Sequence, residues 1–184
     1  MRIVKYLVSL LFLFLFVQNV SAQSSDEMKK DMDPFLQGVV NDLNEVEGKI
    51  ESLAEAIPQE DYDWRPMEGV RSVSEVLKHV AGANYFLLTF AGSKKNQGMG
   101  ENIGKDVTNK EQIVKMLKDS YAYAKDFVSK MNPDDLNKEV EMFGSKSDYR
   151  GVLFILTGHG HEHLGQLIAY ARSNHIVPPW SMKK

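Results

Sequence analysis

Four stretches of this 184-residue chain repeat apolar residues at intervals of three and four, and alternation of the strand type bounded by turn residues is hard to find. That pattern calls for helices that each bury one stripe. The first stretch spans residues 34–57 and stops before Pro58, with Val39, Leu43, Val46, Ile50, Leu53 and Ile57 along one face. Ser72-Val73-Ser74-Glu75 spells a capping box, in which hydroxyl and carboxylate satisfy free backbone amides, so a second helix is expected over residues 72–91. Thr108-Asn109-Lys110-Glu111 repeats the signal and opens a third helix through Ile113, Met116, Leu117, Tyr121, Ala124 and Val128, ending at Asn132-Pro133. The fourth begins near Asp148 and runs to Ser173 or Asn174, with Pro178-Pro179 as the stop. A loop rich in Gly, Lys and Asn fills residues 92–106, and a polar connection containing Gly144 and Ser145 precedes the fourth helix. The expected fold is all-α, a four-helix bundle.

The chain's first 22 residues stand apart. Arg2 and Lys5 precede a twelve-residue apolar run, YLVSLLFLFLFV, and Val20-Ser21-Ala22 supplies the small-residue end of a secretory signal. Twelve residues fall short of the roughly 20 that a membrane-spanning helix needs. Cleavage after Ala22 is therefore expected, leaving one domain over residues 23–184, secreted or periplasmic, with no stable membrane insertion. Without Arg2 and Lys5, 20 basic residues face 25 acidic ones, and no basic run with interleaved aromatics offsets the balance, so nucleic acid is not an expected partner. The chain has no cysteine, which removes thiolate nucleophiles, iron–sulfur clusters, disulfides and lipoprotein anchoring together. Any metal must be held by His, Asp or Glu.

Three histidines crowd into Gly158-His159-Gly160-His161-Glu162-His163 on the fourth helix. His159 and His163, four apart, project from one face, and that stripe is otherwise apolar: Val152, Leu156, Leu167 and Tyr170. The pair thus faces the interior, where an imidazole needs a hydrogen bond or a metal. His161 points elsewhere. A bundle-core metal site draws ligands from facing helices, and His79, in line with Val76, Ala83 and Phe86, is placed to supply one. Three imidazoles from two helices would leave an open position on a tetrahedral zinc, the pattern of a catalytic ion. The same segment also matches the H-x-x-E-H of inverted zinc peptidases, with Glu162 as base, but only 21 residues follow His163 and none is acidic, so the third ligand of that class is missing. Gln166, one turn on from His163, is a candidate to orient it. Trp64 reads as a loop anchor, and Gly151, Gly158, Gly160 and Gly165 either admit a close neighbour or leave space above the metal.

Trp64-Arg65-Pro66, then Ser72 to His79, then His159 to Gln166 followed by Leu167-Ile168-Ala169-Tyr170-Ala171-Arg172-Ser173-Asn174 and Pro178-Pro179, together resemble the DinB-like (DinB/YfiT-type) four-helix metalloproteins. The resemblance implies a divalent metal, zinc or nickel, on His79, His159 and His163, and a homodimer. It departs from the family's habits at Leu164, where a basic residue is frequent, and at His175, where glycine is. Characterised members of the family include thiol-dependent S-transferases and isomerases. The expectation is a metal-dependent enzyme that activates water or a thiol toward a small-molecule substrate; the alternative is a non-catalytic exported bundle that binds a small molecule or metal. Catalytic residues other than the metal ligands are not legible.

Overall fold

Asp33 starts the first helix by accepting hydrogen bonds from the backbone N–H groups of Phe35 and Leu36, with Pro34 preset for the first turn. A computed structural model describes residues 32–94 and 103–182 of the chain. The export signal read at residues 1–22 and the middle of the 92–106 loop lie outside them. Four α-helices follow the expected order: α1 (Pro34–Ala56), α2 (Val73–Phe90), α3 (Lys110–Ser129) and α4 (Tyr149–Ser173). The Ser72/Glu75 box forms as expected, whereas the third helix is capped by Asn109 in place of the expected Thr108/Glu111 box. Ser72 Oγ accepts from the Glu75 N–H while the Glu75 carboxylate accepts from the Ser72 N–H at 2.7 Å, and Asn109 accepts from the Gln112 N–H. Among the described residues, no helix is long and apolar enough to cross a membrane.

The helices do not pack in simple sequence order. α1 packs on α3 and α4, and α2 packs on the same two, so chain neighbours α1 and α2 sit on a diagonal, as do α3 and α4. Polar contacts give the directions. Lys110 Nζ donates to the Glu55 and Ile57 carbonyls while Lys125 pairs with Glu47, so α1 and α3 are antiparallel. Lys78 reaches the Val107 carbonyl and Asn84 the Ser120 hydroxyl, so α2 and α3 run parallel, which is why a long connection must join them. The Arg71 carbonyl, just before α2, accepts from Tyr170 near the end of α4, making α2 and α4 antiparallel. Along the axis the apolar stripes close on one another: Val46, Ile50, Leu53, Val76, Leu77, Val80, Leu117, Tyr121, Leu153 and Leu167 are fully buried. Burying each leucine contributes about 1.5–3 kcal/mol.

One expectation is corrected. The polar connection before α4 is a β-hairpin, β1 (Glu139–Met142) paired antiparallel with β2 (Ser145–Asp148), Met142 opposite Ser145. Its two-residue turn places Phe143 at φ +53° and Gly144 at φ +75°, the left-handed pair that a tight hairpin requires. Phe143 takes a position that suits Asn or Gly, and its ring lies 5.5 Å from that of Phe90.

The end of α4 carries a second strained residue. His175 sits at φ +60°, its N–H donating to the Arg172 carbonyl and that of Ile176 to the Ala171 carbonyl, the double bond of a glycine-type helix stop. This is the position at which the family resemblance noted glycine. His175→Gly is expected to raise stability by about 0.5–1 kcal/mol, since relief of the left-handed strain outweighs the entropy gained by the unfolded chain. The urea midpoint should rise at constant slope; an unchanged or lower midpoint contradicts it.

Candidate metal centre

His79 lies two turns into α2, between the buried Val76 and Ala83 on its stripe. His159 and His163 occupy successive turns of α4, which antiparallel packing lays across His79. The three rings meet with centroids 4.4–4.9 Å apart. Their Nε2 atoms converge: that of His159 is 3.0 Å from His79 Nε2 and 3.1 Å from His163 Nε2. His163 is 7% exposed and the other two are half-buried.

A hydrogen-bonded chain fixes which nitrogen of His163 carries its proton. The Arg71 carbonyl can only accept, so Tyr170 donates to it at 3.0 Å and must accept from the Gln166 amide nitrogen at 2.9 Å. That turns the Gln166 oxygen toward His163 Nδ1, 2.8 Å away, which must donate. With that proton on Nδ1, the uncharged form of the His163 ring presents a lone pair at Nε2. Burial first, then the neighbouring His163, His79 and Arg71, pull the His159 pKa down to about 3, which keeps that ring neutral. A single proton on His159 Nε2 can align with only one of its two nitrogen neighbours. No assignment of neutral tautomers satisfies all three rings, whereas one cation accepting lone pairs does, so the donor set suits a divalent metal with nitrogen preference.

Gln166 is thus the residue that aims His163, as its spacing suggested. Gln166→Leu is expected to weaken zinc affinity about 10–100-fold with helicity unchanged, because His163 loses the acceptor that fixes its tautomer. Competition against a chromophoric chelator measures it; unchanged affinity would remove Gln166 from the centre.

The remaining candidates separate cleanly. His161 turns away and meets Asp42 of α1 at 2.9 Å. Glu162 is exposed, which leaves the inverted-peptidase pattern without its base at the centre. Trp64 packs on the core and meets Tyr170 edge-on, ring centroids 5.3 Å apart, so it anchors the loop and buttresses the Gln166 chain. Gly160 is the glycine of close approach: a Cβ there would lie 3.3 Å from Tyr121 Oη and 3.4 Å from Val46. Gly158 and Gly165 face open space, and Gly151 abuts Ser147 of the hairpin. Sequence reasoning did not find the surroundings of His79. A cavity of about 390 Å³ opens beside it, lined by Arg65, Gly69, Val70, Arg71, Glu75, Lys78 and Lys105. These residues come from the loop before α2, its first two turns and the connection to α3, and no local motif marks them.

Fold and centre together define a class: a four-helix bundle whose facing helices gather a histidine set able to hold a metal ion. The chain belongs to the DinB superfamily, whose sequence profile matches residues 42–167. Solved structures agree on the fold. A DinB-like protein from Bacillus cereus ATCC 10987 is 18% identical with a TM-score of 0.67, covering 78% of this chain and 95% of its own. YfiT from Bacillus subtilis, described as a probable metal-dependent hydrolase with an unusual four-helix bundle topology, is 13% identical with a TM-score of 0.64, covering 77% and 89%. YjoA, a DinB-like protein from Bacillus subtilis, is 18% identical with a TM-score of 0.60, covering 76% and 93%. No curated protein matches the chain at a significant level.

Proposed function

We propose that the protein is an exported metal-dependent enzyme in which His79, His159 and His163 hold a zinc or nickel ion beside a cavity for a small substrate. The observation that carries this reading is the convergence of three Nε2 atoms in a cluster whose His79 also lines an open cavity with charged side chains around it. A sealed apolar surrounding would favour metal storage instead. A divalent ion there supplies Lewis acidity, lowering the pKa of a water or thiol and so providing a nucleophile for hydrolysis or transfer. The chain's own part is to keep His159 neutral through burial, to aim His163 through Gln166 and Tyr170, and to admit substrate past His79. The signal-like residues 1–22 support processing after Ala22 and a location outside the cytoplasm. The description of YfiT as a probable metal-dependent hydrolase is consistent with the hydrolytic form of the reaction.

The test is metal content by mass spectrometry on protein purified without a histidine tag, beside His79→Ala, followed by screens for ester hydrolysis and thiol transfer. Near-stoichiometric metal that His79→Ala loses, with turnover that follows metal occupancy, is the expected result. Absence of metal after zinc or nickel reconstitution overturns the reading. Metal without turnover in either screen turns it toward the binding protein.

A further inference from the structure

The cavity beside His79 has a charge opposite to that of the chain. The protein as a whole carries a formal −3, yet this one wall gathers Arg65, Arg71, Lys78 and Lys105 against a single carboxylate, Glu75. That carboxylate is already engaged: it accepts from the Ser72 N–H at 2.7 Å and lies 3.3 Å from Arg65 Nη2. It steadies Arg65 rather than neutralising the group. Two of the cations are also held from the backbone side, Arg65 Nη1 donating to the Val70 carbonyl at 3.1 Å and Lys78 Nζ to the Val107 carbonyl at 3.1 Å. Each retains further N–H donors. Like charges gathered around a centre suited to a cation repel it and one another, and an anion that joins them relieves that repulsion. Two guanidinium groups and two ammonium groups are the donors that carboxylate and phosphate oxygens require.

We infer that this cavity receives the anionic head, a carboxylate or a phosphate group, of a small-molecule substrate whose reacting portion lies at the three-histidine centre. The substrate part of this statement rests on the proposed metal-dependent activity; the anion site itself does not. A volume of about 390 Å³ is at the small end of ligand sites and fits a metabolite rather than a polymer.

The experiment is calorimetric titration of the purified protein with inorganic phosphate and, separately, succinate, at low ionic strength, with and without bound zinc. Wild type should bind at least one probe saturably at one site per chain in both states, and affinity should fall as salt rises. Phosphate alone marks a phosphorylated substrate, succinate alone a carboxylic acid, and both a general oxyanion site. Lys105→Glu, at an exposed position, and Arg71→Gln should each weaken binding tenfold or more. No saturable binding of either probe, or unchanged affinity in both variants, overturns the inference. Zinc content is measured on the same samples, so protein that holds zinc but no anion sinks this inference alone. Protein that binds anion but never zinc sinks the metal reading and leaves the anion site standing.

Discussion

Zinc added to the metal-free protein is expected to raise its unfolding temperature by roughly 5–10 °C, and His163→Ala is expected to abolish the rise. An ion at 100 times its dissociation constant stabilises the folded state by about 2.7 kcal/mol, and each kcal/mol moves the midpoint of a domain of this size by about 2–4 °C. His163 is the ring whose proton position is fixed from outside the centre, through Gln166, Tyr170 and the Arg71 carbonyl. Without it, His79 and His159 remain, too few to hold zinc at that concentration. Deleting a ring that is 7% exposed also changes the metal-free stability, so the comparison that decides is the zinc-dependent shift within each variant. His161→Ala provides the control, since its ring faces Asp42 and should leave the shift intact. A shift that survives in His163→Ala, or vanishes in His161→Ala, would mean the centre is misassigned.

Gly160→Leu is expected to destabilise the protein by about 3 kcal/mol, whereas Gly165→Ala, one turn along, should stabilise it by roughly 0.5–1 kcal/mol. Both replace a glycine in the same helix, so propensity alone favours both changes. What differs is the neighbourhood. At Gly160 a Cβ would already stand 3.3 Å from Tyr121 Oη and 3.4 Å from Val46, both fully buried, and leucine brings three further carbons into that contact. At Gly165 nothing lies within 4 Å. Urea unfolding of the two variants tests the contrast. A Gly160→Leu protein within 1 kcal/mol of wild type would show that α4 does not depend on this close approach to α1 and α3.

The bundle and its histidines were legible because their signals are local. Ser72 and Glu75 announce a helix start within one turn, Thr108-Asn109-Lys110-Glu111 marks the next start to within one residue of the Asn109 cap, and four-residue spacing alone puts His159 and His163 on one face. The hairpin escaped because it lacks the usual marks: Glu139-Val140-Glu141-Met142 and Ser145-Lys146-Ser147-Asp148 are mostly polar, and the turn is Phe143-Gly144 where Asn-Gly would have been recognised. The diagonal order of the helices escaped as well, because stripes specify that faces are buried and not against which partner. The cationic cavity was hidden for a related reason. Arg65, Arg71, Lys78 and Lys105 become neighbours only after the α1–α2 loop folds over the start of α2 and the connection to α3 returns beside it.

His79 and His159 are 80 positions apart in a chain that has no cysteine. An ion held by both would close a loop as long as many that disulfides close in exported proteins. If the link were as durable as a covalent one, chain-entropy arguments give it about 4.5 kcal/mol against the unfolded state. The unfolded chain offers only scattered imidazoles, so little of that would be forfeited to metal taken up before folding. Under the proposed export, a chain without thiols would then carry a reversible cross-link, set by metal supply and removed by chelators instead of reductants.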